Sequence, residues 1–125
     1  MSSTLTVTNL TATNLTDGGG TTSTFANINS GSAKAWFNSS STALRTSFNV
    51  SSFVDNGTGD YTHNLTSAFN TEDYAAGTAG YSGSARTVVI DSANTASDVR
   101  VHTYLTSSGA QNDASSLVIV CGDRA

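Results

Sequence analysis

The chain has 125 residues and a formal net charge of −4, and only 11% of its residues are charged. Ser (20), Thr (20), Asn (11) and Gly (11) fill close to half of it, and proline is absent. Apart from Ala, the strong helix formers are scarce, whereas Thr and Val suit a pleated, half-buried surface. The composition therefore excludes a helical bundle and predicts an all-β chain. Five Lys and Arg against nine Asp and Glu are too few to neutralise phosphates, so nucleic acid is not expected as a partner. No apolar run approaches the roughly 18 residues that span a bilayer, so no membrane partner is expected either. Residues 1–4 lack the basic and apolar regions of a secretion signal. Cys121 is the single cysteine and has no internal disulfide partner. Large apolar side chains number only 30, and so lean a core favours recruitment of a partner chain.

The first segment carries a five-residue repeat. Leu5-Thr6-Val7-Thr8-Asn9 is followed by Leu10-Thr11-Ala12-Thr13-Asn14, then by Leu15-Thr16 and Asp17-Gly18-Gly19-Gly20. Within one unit, positions 1 and 3 share a strand face. An odd period sends the next unit to the opposite face unless the chain kinks at Asn9 and Asn14, and Asn tolerates the backbone such a kink needs. An isolated strand of this length has two unpaired edges and nothing to bury its stripe. Repeat units become stable when neighbours stack on them, so Leu5, Val7, Leu10 and Leu15 are expected to trimerise or attach the chain, three copies pairing about a common axis.

A short strand-like piece follows at 24–28, and a linker at 29–32 leads into a run of strands punctuated by turns. Residues 35–38 form one. Residues 43–54 read as a continuous strand with Phe48 and Val50 on one face and Asn49 and Ser51 on the other. Asp55-Asn56-Gly57-Thr58-Gly59 is the strongest turn, since Asn-Gly supplies the positive φ of a tight hairpin. Tyr61, His63 and Leu65 alternate on the returning strand. One helical turn is expected near 71–73. Residues 74–81 form a strand of small residues, 86–90 an apolar one, and Val99, Val101 and Thr103 alternate with Arg100, His102 and Tyr104. The last strand, 117–121, is apolar on both faces and is placed mid-sheet. This spacing predicts a β-sandwich or barrel-like knob over 33–125, with Trp36, Phe48, Val50, Tyr61, Leu65, Val88, Ile90, Val101, Val118 and Val120 in its core.

Catalytic and metal chemistry find little support. His63 and His102 lie in separate strands without ligand spacing. Residues 55–60 are rich in oxygen, but the distal bidentate acid of a calcium loop is missing. No Gly-x-Ser-x-Gly elbow occurs. No enzyme activity, cofactor or metal is expected. Aromatics offer one binding chemistry, sugar stacking, with Trp36 and Tyr81 as the candidate ligand contacts.

Three segments carry a resemblance: Ala33-Lys34-Ala35-Trp36-Phe37-Asn38, Ser47-Phe48-Asn49-Val50-Ser51-Ser52 and Asp55-Asn56-Gly57-Thr58-Gly59-Asp60-Tyr61-Thr62. Together they resemble a recurrent domain of tailed-phage fibre and virion-surface proteins. Asp73-Tyr74 and the terminal Val-Ile-Val-Cys strand are similar to it as well, and the opening Leu-Thr-Val-Thr-Asn segment resembles trimeric fibre necks. Ser39-Ser40-Ser41-Thr42 departs from the Gly-rich turn of that family. The resemblance implies a structural virion protein: a homotrimer with an intertwined β-neck over 1–32 and a β-knob over 33–125. Its partners are then copies of itself and the major capsid protein or another virion protein. Because the neck is short, the expected role is capsid decoration (cement) on the head surface. A short tail fibre or receptor-binding tip that reads a host cell-surface glycan is the alternative.

Overall fold

A computed structural model describes residues 14–16, 22–24, 32–81 and 85–122, with the backbone alone at 14–16, 22–24 and 81. These residues are all-β and contain no helix. In chain order the strands are β1 (Asn14–Thr16), β2 (Thr22–Thr24), β3 (Ala33–Ser39), β4 (Leu44–Phe48), β5 (Val50–Gly57), β6 (Asp60–Leu65), β7 (Ala75–Tyr81), β8 (Arg86–Ile90), β9 (Asp98–Leu105) and β10 (Ser115–Cys121). Two four-stranded sheets, ordered β4-β3-β10-β7 and β5-β6-β9-β8, are antiparallel throughout. The expected helical turn near 71–73 is a bend, in which the Tyr74 amide donates to the Glu72 carbonyl at 3.0 Å.

Between the sheets lies the core, and strict alternation fills it. Tyr61, His63 and Leu65 of β6 point inward, as do Val99, Val101 and Thr103 of β9. From the other sheet come Ala35, Phe37 and Ser39 of β3 and Ser116, Val118 and Val120 of β10. Phe69 and Val88 complete it, with Val50 and Ile90 packed half-buried against it. Trp36 and Phe48, expected inside, lie outside: Ala35, Phe37 and Ser39 of β3 point inward, and Trp36 stands opposite Phe48 on the far face of the same sheet.

The stretch read as one strand over 43–54 is two strands in two sheets. Asn49 adopts φ 60°, a left-handed conformation that Asn tolerates better than most residues. Its amide clips the neighbouring loop, with Nδ2 donating to the Ser67 carbonyl at 2.9 Å and Oδ1 accepting from the Ser67 amide at 2.8 Å. The chain therefore turns a corner at Asn49. Phe48 stays on the outer face of the first sheet, while Val50 enters the core from the second.

The β5–β6 hairpin forms as read, but its positive φ angles fall on Gly57 (135°) and Gly59 (67°), while Asn56 stays within β5. The Asn56 side chain bridges the hairpin, with Nδ2 donating to Asp60 Oδ1 at 3.2 Å and Thr62 Oγ1 at 2.8 Å. The final strand β10 is central, between β3 and β7, as its two apolar faces implied. In the opening segment β1 pairs with β2 of the same chain, Leu15 opposite Ser23. At this point an intrachain neighbour makes the edge pairing expected from sister copies. Leu5, Val7 and Leu10 lie outside the described residues.

Gly59 ties the hairpin to the rest of the second sheet. Its amide donates to Asp113 Oδ1 at 2.8 Å, and its carbonyl accepts from the Thr103 amide at 2.8 Å. A Cβ there would lie 2.6 Å from the Thr103 carbonyl oxygen and 2.8 Å from the Asn112 nitrogen, both immovable backbone. Gly59→Ala is therefore expected to cost about 2–4 kcal/mol by combining a left-handed penalty with a backbone clash. Gly77→Ala, whose Cβ meets nothing within 4 Å, should stay near neutral. Chemical denaturation of the two variants checks this; equal midpoints would refute it.

Candidate functional site

Among the described residues three places gather chemistry, and two of them are closed. The first is a polar chain inside the core. Ser116 Oγ and Ser39 Oγ are 2.9 Å apart, and Ser39 Oγ is 3.1 Å from His63 Nε2. All three residues have no accessible surface. The imidazole stacks on Phe37 with centroids 3.6 Å apart and planes at 14°, and Phe53 meets it edge-on at 5.3 Å. A serine beside a histidine invites a catalytic reading, but no substrate reaches a pair sealed between two sheets. Burial disfavours the imidazolium and pulls the His63 pKa down to about 4. Tyr61 shows the same physics in the other direction: burial, together with the hydrogen bond its hydroxyl donates to Asp113 Oδ1 at 3.0 Å, pushes its pKa up to about 12.

The second place is the outer face of β6 and β9, where charges neutralise one another. Arg100 holds Asp60 bidentately, Nε to Oδ1 at 2.8 Å and Nη2 to Oδ2 at 2.6 Å, and its Nε lies 3.5 Å from Asp91 Oδ2. His102 Nε2 meets Asp91 Oδ2 at 2.8 Å, while Nδ1 accepts from Gln111 Nε2. The hydrogen bond from Arg100 holds the Asp60 carboxyl below its ordinary range, and the bond from His102 does the same for Asp91. The carboxylates already have cationic or hydrogen-bonding partners, so the cluster offers no free ligand set. Among the described residues, no group of three or more His, Cys, Asp and Glu is placed to hold a metal ion. Asp55, the other acid of the hairpin, accepts from the Gly57 amide at 2.9 Å.

The third place is open. On the outer face of the first sheet, strand register builds two parallel rows across four strands. Phe48, Trp36, Ile119 and Gly77 form one row; Thr46, Asn38, Leu117 and Ala79 form the other. Trp36 is 38% exposed, Phe48 46%, Leu117 37% and Ile119 56%. Because β7 contributes only Gly77 and Ala79, the rows step down beside Ile119 and Leu117 into a groove of about 480 Å3. No charged side chain lines the groove. Asn38 leaves its Oδ1 buried without a donor, and the Thr78 hydroxyl is spent on the Val88 carbonyl at 2.8 Å.

Of the expected site residues, only Trp36 is placed by its side chain in this face. Tyr81 ends β7 opposite Ser115, at the register position next beyond the row of Ala79 and Leu117. Leu15 lies in β1. The residues that sequence reasoning missed are Phe48, Leu117, Ile119, Gly77 and Ala79. Their signal was present: a strand apolar on both faces beside a strand of small residues describes an apolar sheet surface with a hollow along one edge. No protein-family model, curated protein or solved structure matches the chain.

His63 makes the fold acid-sensitive. Its folded pKa near 4 lies below the unfolded value near 6.5, so the unfolded chain binds the extra proton. The stability that neutral His63 supports is complete above pH 6.5 and declines on acidification, by about 3 kcal/mol once pH reaches 4. Below that window the lowered carboxyls of Asp60 and Asp91 add a further loss as they protonate. Denaturant titrations from about pH 7 down to about pH 2 should show His63→Leu flattening the first window but not the second. An unchanged slope would rule out His63 as the group responsible.

Proposed function

We propose that the chain is a structural protein of a tailed-phage virion: a homotrimeric capsid decoration protein that attaches to and stabilises the head surface. In this reading, 1–32 form the neck and 33–125 the knob. The observation that carries it is the uncovered apolar face of the sheet β4-β3-β10-β7. Phe48, Trp36, Ile119 and Leu117 stand exposed there, while the buried polar chain is sealed in the core and the charged cluster pairs its carboxylates internally. Exposed apolar patches of this kind mark interaction surfaces. The resemblance of residues 33–62 to virion-surface domains supplies the setting.

On a capsid, many identical contacts of modest strength sum to firm attachment. Trp36 at the open face favours one second reading, a receptor-binding tip on which a host glycan stacks. The lining weighs against it, since a sugar presents many hydroxyls and this groove offers few free polar groups in return.

Two measurements separate the readings. Copy number on the purified particle is expected in the hundreds for decoration, against a few dozen at most for a fibre. Deletion of residues 1–16 is expected to leave a folded knob that neither trimerises nor attaches, followed by sedimentation and by binding to undecorated heads. A truncated protein that remains trimeric would show that assembly lies elsewhere, and strong glycan binding lost in Trp36→Ala would favour the tip.

A further inference from the structure

From the groove and the opening repeat together, we infer that the apolar arm around Leu5 and Val7 of one copy docks in the β7-side groove of a neighbouring copy. This rests on the self-association proposed above and gives it a geometry.

Four observations carry it. The first is shape. The hollow exists because β7 presents Gly77 and Ala79 where its neighbour β10 presents Ile119 and Leu117, and a Cβ added at Gly77 meets nothing within 4 Å. The second is spacing. The two rows lie two residues apart along each strand, and so do Leu5 and Val7. In extended chain that separation is about 6.8 Å on both sides of the contact, so a strand laid along β7 sets one apolar side chain in each row. The third is charge. Residues 1–16 contain no charged side chain, and neither does the groove lining, so docking buries no ion.

The fourth is area. The bare parts of Trp36, Phe48, Leu117 and Ile119 come to roughly 300 Å2, and pressing two such faces together falls well below the ~800 Å2 per partner of a standard interface. An arm crossing to a neighbour adds its own surface to that of this face, and in a closed ring every copy both gives and receives one. A heterologous contact that closes in this way uses the groove of every subunit.

The test uses the full-length chain. Gly77→Leu fills the hollow without a steric conflict in the fold, which an unchanged denaturation midpoint confirms. Leu5→Ser with Val7→Ser removes the arm's apolar pair. Each change is expected to weaken self-association about tenfold or more in sedimentation equilibrium, and the combination no further than either alone. In a Cys121→Ser background, mixing chains that carry Val7→Cys with chains that carry Gly77→Cys should yield a disulfide-linked pair. A crosslink formed only within chains carrying both cysteines would overturn docking between copies. Additive effects of the two changes would show that arm and groove do not meet. Glycan binding abolished by Gly77→Leu with association intact would assign the groove to sugar instead. A protein that is monomeric at every concentration defeats the trimeric reading itself, whereas a trimer indifferent to Gly77→Leu defeats only the docking.

Discussion

A four-stranded antiparallel sheet can bury one of its faces inside its own sandwich, and the other must meet water or a partner. In the sheet β4-β3-β10-β7 both faces are apolar along β10, with Val118 and Val120 inside and Leu117 and Ile119 outside. The open face of the molecule follows from that mismatch. Alternation along β10 obliges Leu117 and Ile119 to point away from the core once Val118 and Val120 point into it, and no second layer covers them among the described residues. The outer face of the opposite sheet differs: Asp60, Arg100, Asp91 and His102 place mutually paired charge on it, beside the exposed Val54 and Val89.

The interior is built economically. With few large apolar residues available, the sheets are joined by a histidine stacked on Phe37 and by a file of hydroxyls from Ser39 and Ser116, placed where a larger core would carry leucines. Satisfied buried polar groups fix register and orientation, because any slip leaves them unpaired. The acid sensitivity of His63 is the physical consequence of that economy. Where side chains are small, the backbone takes over, as at Gly59, which packs directly against the main chain of Thr103 and Asn112.

Much of the second sheet was legible in the chain. Tyr61, His63 and Leu65 on β6, and Val99, Val101 and Thr103 on β9, follow a two-residue alternation that admits one register, and the Asp-Asn-Gly-Thr-Gly run announces the hairpin before them. The first sheet read less clearly. Ala35-Trp36-Phe37 has no polar residue to mark its outward face, and Trp36 was expected in the core where the structure buries Phe37. The corner at Asn49 was concealed because Phe48 and Val50 keep a two-residue spacing straight through it, while their faces belong to different sheets.

The sequence by itself determined that the chain is all-β and that β10 runs mid-sheet, since composition and periodicity are local properties. Which apolar face the molecule leaves bare was decided only in the tertiary structure. Trp36, Phe48, Leu117, Ile119 and the hollow at Gly77 come from four strands separated by up to about 80 residues, and long-range pairing alone sets them side by side. No local signal distinguishes a hydrophobic residue waiting for the core from one waiting for another molecule, because both carry the same side chain and differ only in what the fold brings against them.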